Sequence, residues 1–163
     1  MQHINKFSYM GSDRPALMGI MKGGMGMEYA DGIASVFLLP GAIYLQADFK
    51  GLPPSEVFGF HIHEGFICGE ARSADGFAGA GGHYSNCPEG MWCDLHPYHA
   101  GDLPPIFSDA QGNASMQVYL DKATIEELSG RAIILHGRRD DFESQPSGDS
   151  GMRMVCGVLA ENL

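Results

Sequence analysis

The chain has 163 residues, enough to bury an ordinary core, and is expected to form one domain over residues 1–163. Its 20 acidic and 10 basic residues give a formal charge of −10, which argues against nucleic acid or an anionic membrane as a partner, since both require clustered Lys and Arg. No run approaches the roughly 18 consecutive apolar residues of a membrane-crossing helix.

The N-terminal stretch MQHINKFSYMGSDRP lacks a basic region followed by an apolar one, so it shows no signal-peptide pattern. As it stands, the sequence is expected to be cytoplasmic, with an extracytoplasmic location open if the natural start lies upstream. Residues 1–15 read as a flexible or irregular segment. Met1-Gln2-His3 with a free amine would chelate Cu(II) in a square plane, although a disordered tail is the simpler reading. The thioethers of Met18, Met21, Met25 and Met27 could recruit Cu(I). More simply, Met18 packs in a strand and the others fill irregular gaps.

Short β-like runs follow at 16–22, 33–39, 43–50, 57–63, 114–120, 131–136 and 153–159, separated by turn segments such as GGMG, LPG, GLPPS and DAQGN. Only residues 122–128 read as a short helical turn. Many strands without alternating helices predict an all-β sandwich or barrel. Two long irregular stretches, 64–107 and 137–152, are expected to be functional loops. Asn113-Ala-Ser115 matches a glycosylation sequon, which matters only in a secretory setting.

The histidines carry the chemistry. His61 and His63, at i and i+2 of a predicted strand, project from one face and form a clamp for a metal, while Phe60 and Ile62 point to a core. His136 ends the apolar strand RAIILH, and His83 sits in the glycine-rich AGAGGHYSN. His96, His99 and Asp102 follow one another at three-residue intervals in LHPYHAGDLPP, where glycine and proline exclude a regular helix. Histidine-rich, oxygen-poor ligation suits copper or zinc and not calcium or magnesium. Six of the seven histidines are more than one tetrahedral zinc needs, so two metals sharing a ligand use the set more completely. Cys87 and Cys93 flank PEGMW, and a local disulfide, free thiols and thiolate ligation of zinc are all open to them.

Five ordered motifs, GFHIHEG, GGHY, HAGDLP, GRAIILHGRRDDF and GMRMVCGV, resemble the copper/zinc superoxide dismutases over roughly residues 50–160. The resemblance implies a Greek-key β-barrel of immunoglobulin-like architecture with two long functional loops. It implies copper ligands His61, His63, His83 and His136, with His83 bridging to zinc. His99 and Asp102 would hold zinc, and Asp140 would link ligands of the two metals. Arg153 would guide superoxide and, with His83, serve catalysis. Cys68 and Cys156 would form the disulfide that ties the metal loop to the last strand. The implied reaction is dismutation of superoxide to oxygen and hydrogen peroxide, with a homodimer and a copper-donor protein left open as partners.

One departure stands out. Most members carry a further zinc histidine about eight or nine residues before the histidine of HAGD, where this chain has PEGMW. His96 is expected to take its place, completing a set of His83, His96, His99 and Asp102. The alternatives are a copper-only enzyme with a damaged zinc site and a non-catalytic copper-delivery or metal-sequestering relative. The short loop 137–152 carries Arg138 and Arg139 but no lysine. Salt screens remote charges beyond about 8 Å, so local groups outweigh the net charge of the molecule.

Overall fold

A computed structural model describes residues 14–71 and 76–161; the Met1-Gln2-His3 chelate considered above lies outside the described residues. Among the described residues, ten strands make the architecture: β1 (Leu17–Gly23), β2 (Asp31–Leu39), β3 (Ala42–Lys50), β4 (Val57–Phe58), β5 (Phe60–Ile62), β6 (Ile106–Phe107), β7 (Ala114–Leu120), β8 (Ala132–His136), β9 (Arg153–Val158) and β10 (Ala160–Glu161). The helix α1 (Ile125–Leu128) is a single turn, closed by a capping box between Thr124 and Glu127.

The large sheet runs β5-β8-β9-β1-β2-β3-β7, with β10 also on β1. After the meander β1-β2-β3 the chain crosses to the far edge to lay down β4 and β5, then returns to place β7 beside β3, as a Greek key does. A small ribbon of β4 and β6 spans the gap between the sheet edges. A Ser108–Ala114 bridge links it to β7, and the chain itself links it to β5. The result is the all-β barrel expected from the strand pattern.

Alternation decides which side chains enter the barrel. Leu17 and Met21 of β1 point in, while Ile20 and Lys22 point out. Of the four methionines singled out, Met18 lies half-buried in β1 as expected, whereas Met21 is fully buried in the core and Met25 is exposed, so neither fills an irregular gap. Leu45, Phe58, Phe60, Ile62, Ile133 and Leu135 meet in the interior. Phe49 and Phe60 pack edge to face at 5.6 Å. β8 is buried along its whole length, and apolar up to His136, because both of its faces are covered. Ile133 and Leu135 face inward, while Ala132 and Ile134 join Phe77, Ala80 and Cys156 in a second cluster.

Two expectations need correction. The run 57–63 is not one strand, because it breaks at Gly59. A Cβ there would lie 2.7 Å from Ser150 Oγ, so glycine lets the second long loop close onto this edge. The stretch 64–107 is not wholly irregular either; it holds the turns Ala78–Ala80 and Trp92–Asp94 and ends in β6.

Candidate metal centre

The outer face of β5 and β8 carries the histidines. With Phe60 and Ile62 in the core, His61 and His63 emerge together on the other side, and both are almost completely buried by the loops above them. Two segments of the first long loop are stitched onto β5 by backbone pairing. His63 bridges His83, His61 bridges Asp102, and the Ile62 N–H donates to the Gly101 carbonyl at 2.9 Å. The motifs GGHY and HAGD therefore flank the strand clamp.

His136 reaches the same place through an irregularity. Leu135 pairs with Val155, but His136 pairs with Arg153, leaving Met154 as an extra residue on β9. The bulge turns Met154 into the core and brings Arg153 to the face that holds the histidines. Both terminal guanidinium nitrogens are anchored on backbone carbonyls: Nη1 donates to Phe77 at 2.8 Å, and Nη2 donates to Gly81.

Two groups of side chains offer ligand atoms lying within 4.8 Å of one another: His61, His63, His83 and His136, and His83, His96, His99 and Asp102. His83 belongs to both. Five of the six imidazoles have one nitrogen committed to an acceptor outside the two groups. His63 Nδ1 donates to the Gly81 carbonyl at 2.9 Å, and His136 Nδ1 makes a weaker contact with Gly151 at 3.5 Å. His99 Nε2 donates to the Asp94 carbonyl at 3.1 Å. Asp140 takes two rings at once, His61 Nε2 on Oδ2 and His96 Nε2 on Oδ1, each at 2.8 Å.

These commitments fix the tautomers, since a carbonyl or a carboxylate can only accept. The opposite nitrogens must then present lone pairs. His61 Nδ1, His83 Nε2 and His96 Nδ1 are buried with no hydrogen-bond partner. His63 and His136 set two Nε2 atoms 3.2 Å apart. His96 Nδ1 lies 3.2 Å from Asp102 Oδ2 but is misaligned for a hydrogen bond, while His99 Nδ1 lies 2.9 Å from the same oxygen. Lone pairs facing lone pairs and a carboxylate in a dry site repel unless a cation is shared among them. Burial also holds three of the rings in the neutral, metal-binding form. It pushes His61 well below the ordinary range, His63 down to about 2 and His136 down to about 3. The donor chemistry fits an all-nitrogen copper set beside a zinc set of three nitrogens and one oxygen.

All the site residues singled out by sequence thus lie in one assembly. Disulfides join Cys68 to Cys156, tying the loop that carries Phe77 and Gly81 to β9, and Cys87 to Cys93 within the loop that carries His96. Sequence reasoning missed the carbonyls of Phe77, Gly81, Gly151 and Asp94, which act through the backbone and leave no residue-type signal. It also missed Gln145 and Gly148, which contact the neighbourhood of His96 from the second loop.

The sequence model of the copper/zinc superoxide dismutase (SODC) family matches residues 35–159. A curated superoxide dismutase [Cu-Zn] of Aquifex aeolicus is 34% identical over 127 residues, spanning 72% of this chain and 71% of that protein. A superoxide dismutase-like protein of Bacillus subtilis is 34% identical over 136 residues, 74% of this chain and 63% of the relative. The solved Cu/Zn superoxide dismutase of Brucella abortus superposes with a TM-score of 0.70 at 26% identity, covering 87% of this chain and 97% of that one. With this match across most of its length, the chain belongs to the copper/zinc superoxide dismutase family.

Proposed function

We propose that this protein is an active superoxide dismutase. In this reading His61, His63, His83 and His136 hold copper, and His83, His96, His99 and Asp102 hold zinc. One observation carries the reading: His61 Nδ1, His83 Nε2 and His96 Nδ1 are buried without hydrogen-bond partners in the middle of the two ligand groups. A buried polar nitrogen left unpaired is costly, and three together in one pocket point to a bound cation.

Copper, when bound, supplies one-electron chemistry in both directions, and zinc, which has no redox chemistry, supplies a fixed charge and geometry. The chain's own residues do the rest. Two superoxide ions and two protons give one oxygen and one hydrogen peroxide, so an anion must be drawn in and protons delivered. Arg153 presents a permanently charged, planar donor fork that Phe77 and Gly81 hold in place, suited to attracting and orienting a small dioxygen anion. His83 offers Nε2 to one ligand group while Nδ1 faces the other, so Nε2 can hold and hand on a proton without the ring leaving its place. Asp140 keeps the His61 and His96 rings in one orientation.

The family also contains dismutase-like members, such as the Bacillus subtilis relative, so activity is the point to test. Protein loaded with both metals is expected to hold about one copper and one zinc per chain and to remove superoxide far faster than free copper. Full loading with no activity above that of free copper would leave a non-catalytic metal-binding protein.

A further inference from the structure

The loop 137–152 does more than carry Asp140. Asp141 folds it into a tight turn, with Oδ1 accepting from the backbone N–H of Glu143 and Ser144 at 2.9 and 2.8 Å. This turn delivers Gln145 to the backbone of His96. The His96 N–H donates to Gln145 Oε1 at 3.0 Å, and Gln145 Nε2 donates to the His96 carbonyl at 2.7 Å. One carboxamide therefore satisfies both main-chain groups of a loop residue that no strand or helix secures.

The clasp continues at the ring. Asp140 Oδ1 accepts from His96 Nε2, and Gly148, with φ at +68°, passes so close that an added Cβ would stand 2.6 Å from that nitrogen. Backbone, ring nitrogen and ring edge of His96 are thus all held by the loop 137–152. The main chains of the strand histidines His61 and His136 are held by sheet pairing instead of by a side-chain clasp.

We propose that Gln145 is a positioning residue for His96. It fixes the main chain from which this imidazole reaches Asp102, and so couples the loop 137–152 to zinc affinity. The inference rests on the reading of His96 as a zinc ligand. Gln145 is itself exposed, so replacing it removes two hydrogen bonds without opening the core.

The test compares Gln145→Leu, Gln145→Glu and His96→Ala by chelator competition for zinc, by copper content and by the visible spectrum of Co(II) placed in the zinc set. Gln145→Leu keeps a branched side chain of similar bulk and loses both bonds; zinc affinity is expected to fall about ten- to a hundredfold, with copper content unchanged and the Co(II) bands altered. Gln145→Glu keeps the acceptor for the His96 N–H but sets a carboxylate against the His96 carbonyl. Zinc affinity is expected between wild type and Gln145→Leu, a graded rescue that loss of general stability does not produce. Thermal unfolding of the metal-free forms is expected to match wild type. If Gln145→Leu binds zinc like wild type with unchanged Co(II) bands while His96→Ala loses zinc, the positioning role is wrong. If His96→Ala itself keeps zinc, the underlying ligand reading is wrong. Equal loss of copper and zinc in Gln145→Leu would also overturn the proposal, because His96 belongs to the zinc set alone.

Discussion

His136 and Arg153 face each other as direct cross-strand partners only because Met154 is bulged out of the ladder between β8 and β9. In an unbroken register His136 would oppose Met154, and alternation would send Arg153 into the core. The same arginine shares an acceptor with a second histidine: Arg153 Nη2 and His63 Nδ1 both donate to the carbonyl of Gly81. The charged group is therefore set against both strands that bear the all-nitrogen ligand group.

Arg153 variants separate attraction from orientation. Arg153→Lys keeps the charge but not the planar fork held by Phe77 and Gly81, so an intermediate rate is expected. Arg153→Glu reverses the local field and is expected to slow superoxide removal most, by tenfold or more on the scale of electrostatic steering. Copper and zinc contents are expected to stay at the wild-type level, since the arginine is no ligand. The rate of the glutamate form should recover in part as salt rises. Equal rates for all three forms at low salt would remove Arg153 from catalysis.

The sequence shows the strand clamp well, because period-two alternation places His61 and His63 opposite Phe60 and Ile62 whatever the tertiary context. It shows the barrel for the same reason, strand by strand. The Met154 bulge was not legible, since Arg-Met-Val-Cys reads as an uninterrupted strand and only pairing with β8 reveals the extra residue. Nor was the break at Gly59, which depends on how close Ser150 comes from a distant loop. The contribution of Gln145 was invisible for another reason. A glutamine in a polar loop carries no chemical signature until its partner, the backbone of His96, is brought beside it.

Asp140 offers a test of the link between the two ligand groups. Its two oxygens each hold one imidazole, and Oδ1 also accepts from the Phe142 N–H at 2.7 Å. Asp140→Asn leaves one acceptor oxygen and sets an amide N–H₂ against the other ring, where a donor already stands. Zinc affinity is expected to drop about ten- to a hundredfold, and copper affinity less, because His61 is fixed by β5 while His96 lies in a loop. Metal titration of the variant reads this directly; a larger loss of copper than of zinc contradicts it.

The metal-free protein is expected to lose stability on mild acidification. Burial lowers the pKa of His61, of His63 to about 2 and of His136 to about 3, against about 6.5 in an unfolded chain. Between those values the unfolded state binds protons that the folded state refuses. Stability therefore rises with pH across this window and falls as pH drops from about 6.5 towards 3. Asp102 acts lower. Burial pushes it up, but the hydrogen bond and charge of His83 outweigh this and hold it below its usual range, so its contribution is lost only as pH falls below about 3.8. Denaturant midpoints of chelator-treated protein at pH 8, 6.5 and 5 give the check, and a flat profile over that range would contradict neutral buried rings.

The two disulfides are expected to differ in weight and in consequence. Cys68 and Cys156 are 88 residues apart, whereas Cys87 and Cys93 are separated by 6. Loop-closure entropy then assigns about 4.5 kcal/mol to the first and about 2 kcal/mol to the second, before any relaxation of the native state. Their positions sharpen the contrast. The long-range bridge ties β9, which carries Arg153, to the loop whose Phe77 and Gly81 carbonyls hold that arginine. The short bridge closes a turn inside the loop that leads to His96. Replacing Cys68 and Cys156 together with serine should lower thermal stability more than replacing Cys87 and Cys93. It should also reduce the salt sensitivity of superoxide removal, because Arg153 is no longer held in one place. The short-bridge variant should keep that salt sensitivity and change zinc retention instead. The same loss of stability and the same salt profile in both variants would mean that the long-range bridge has no special hold on the arginine.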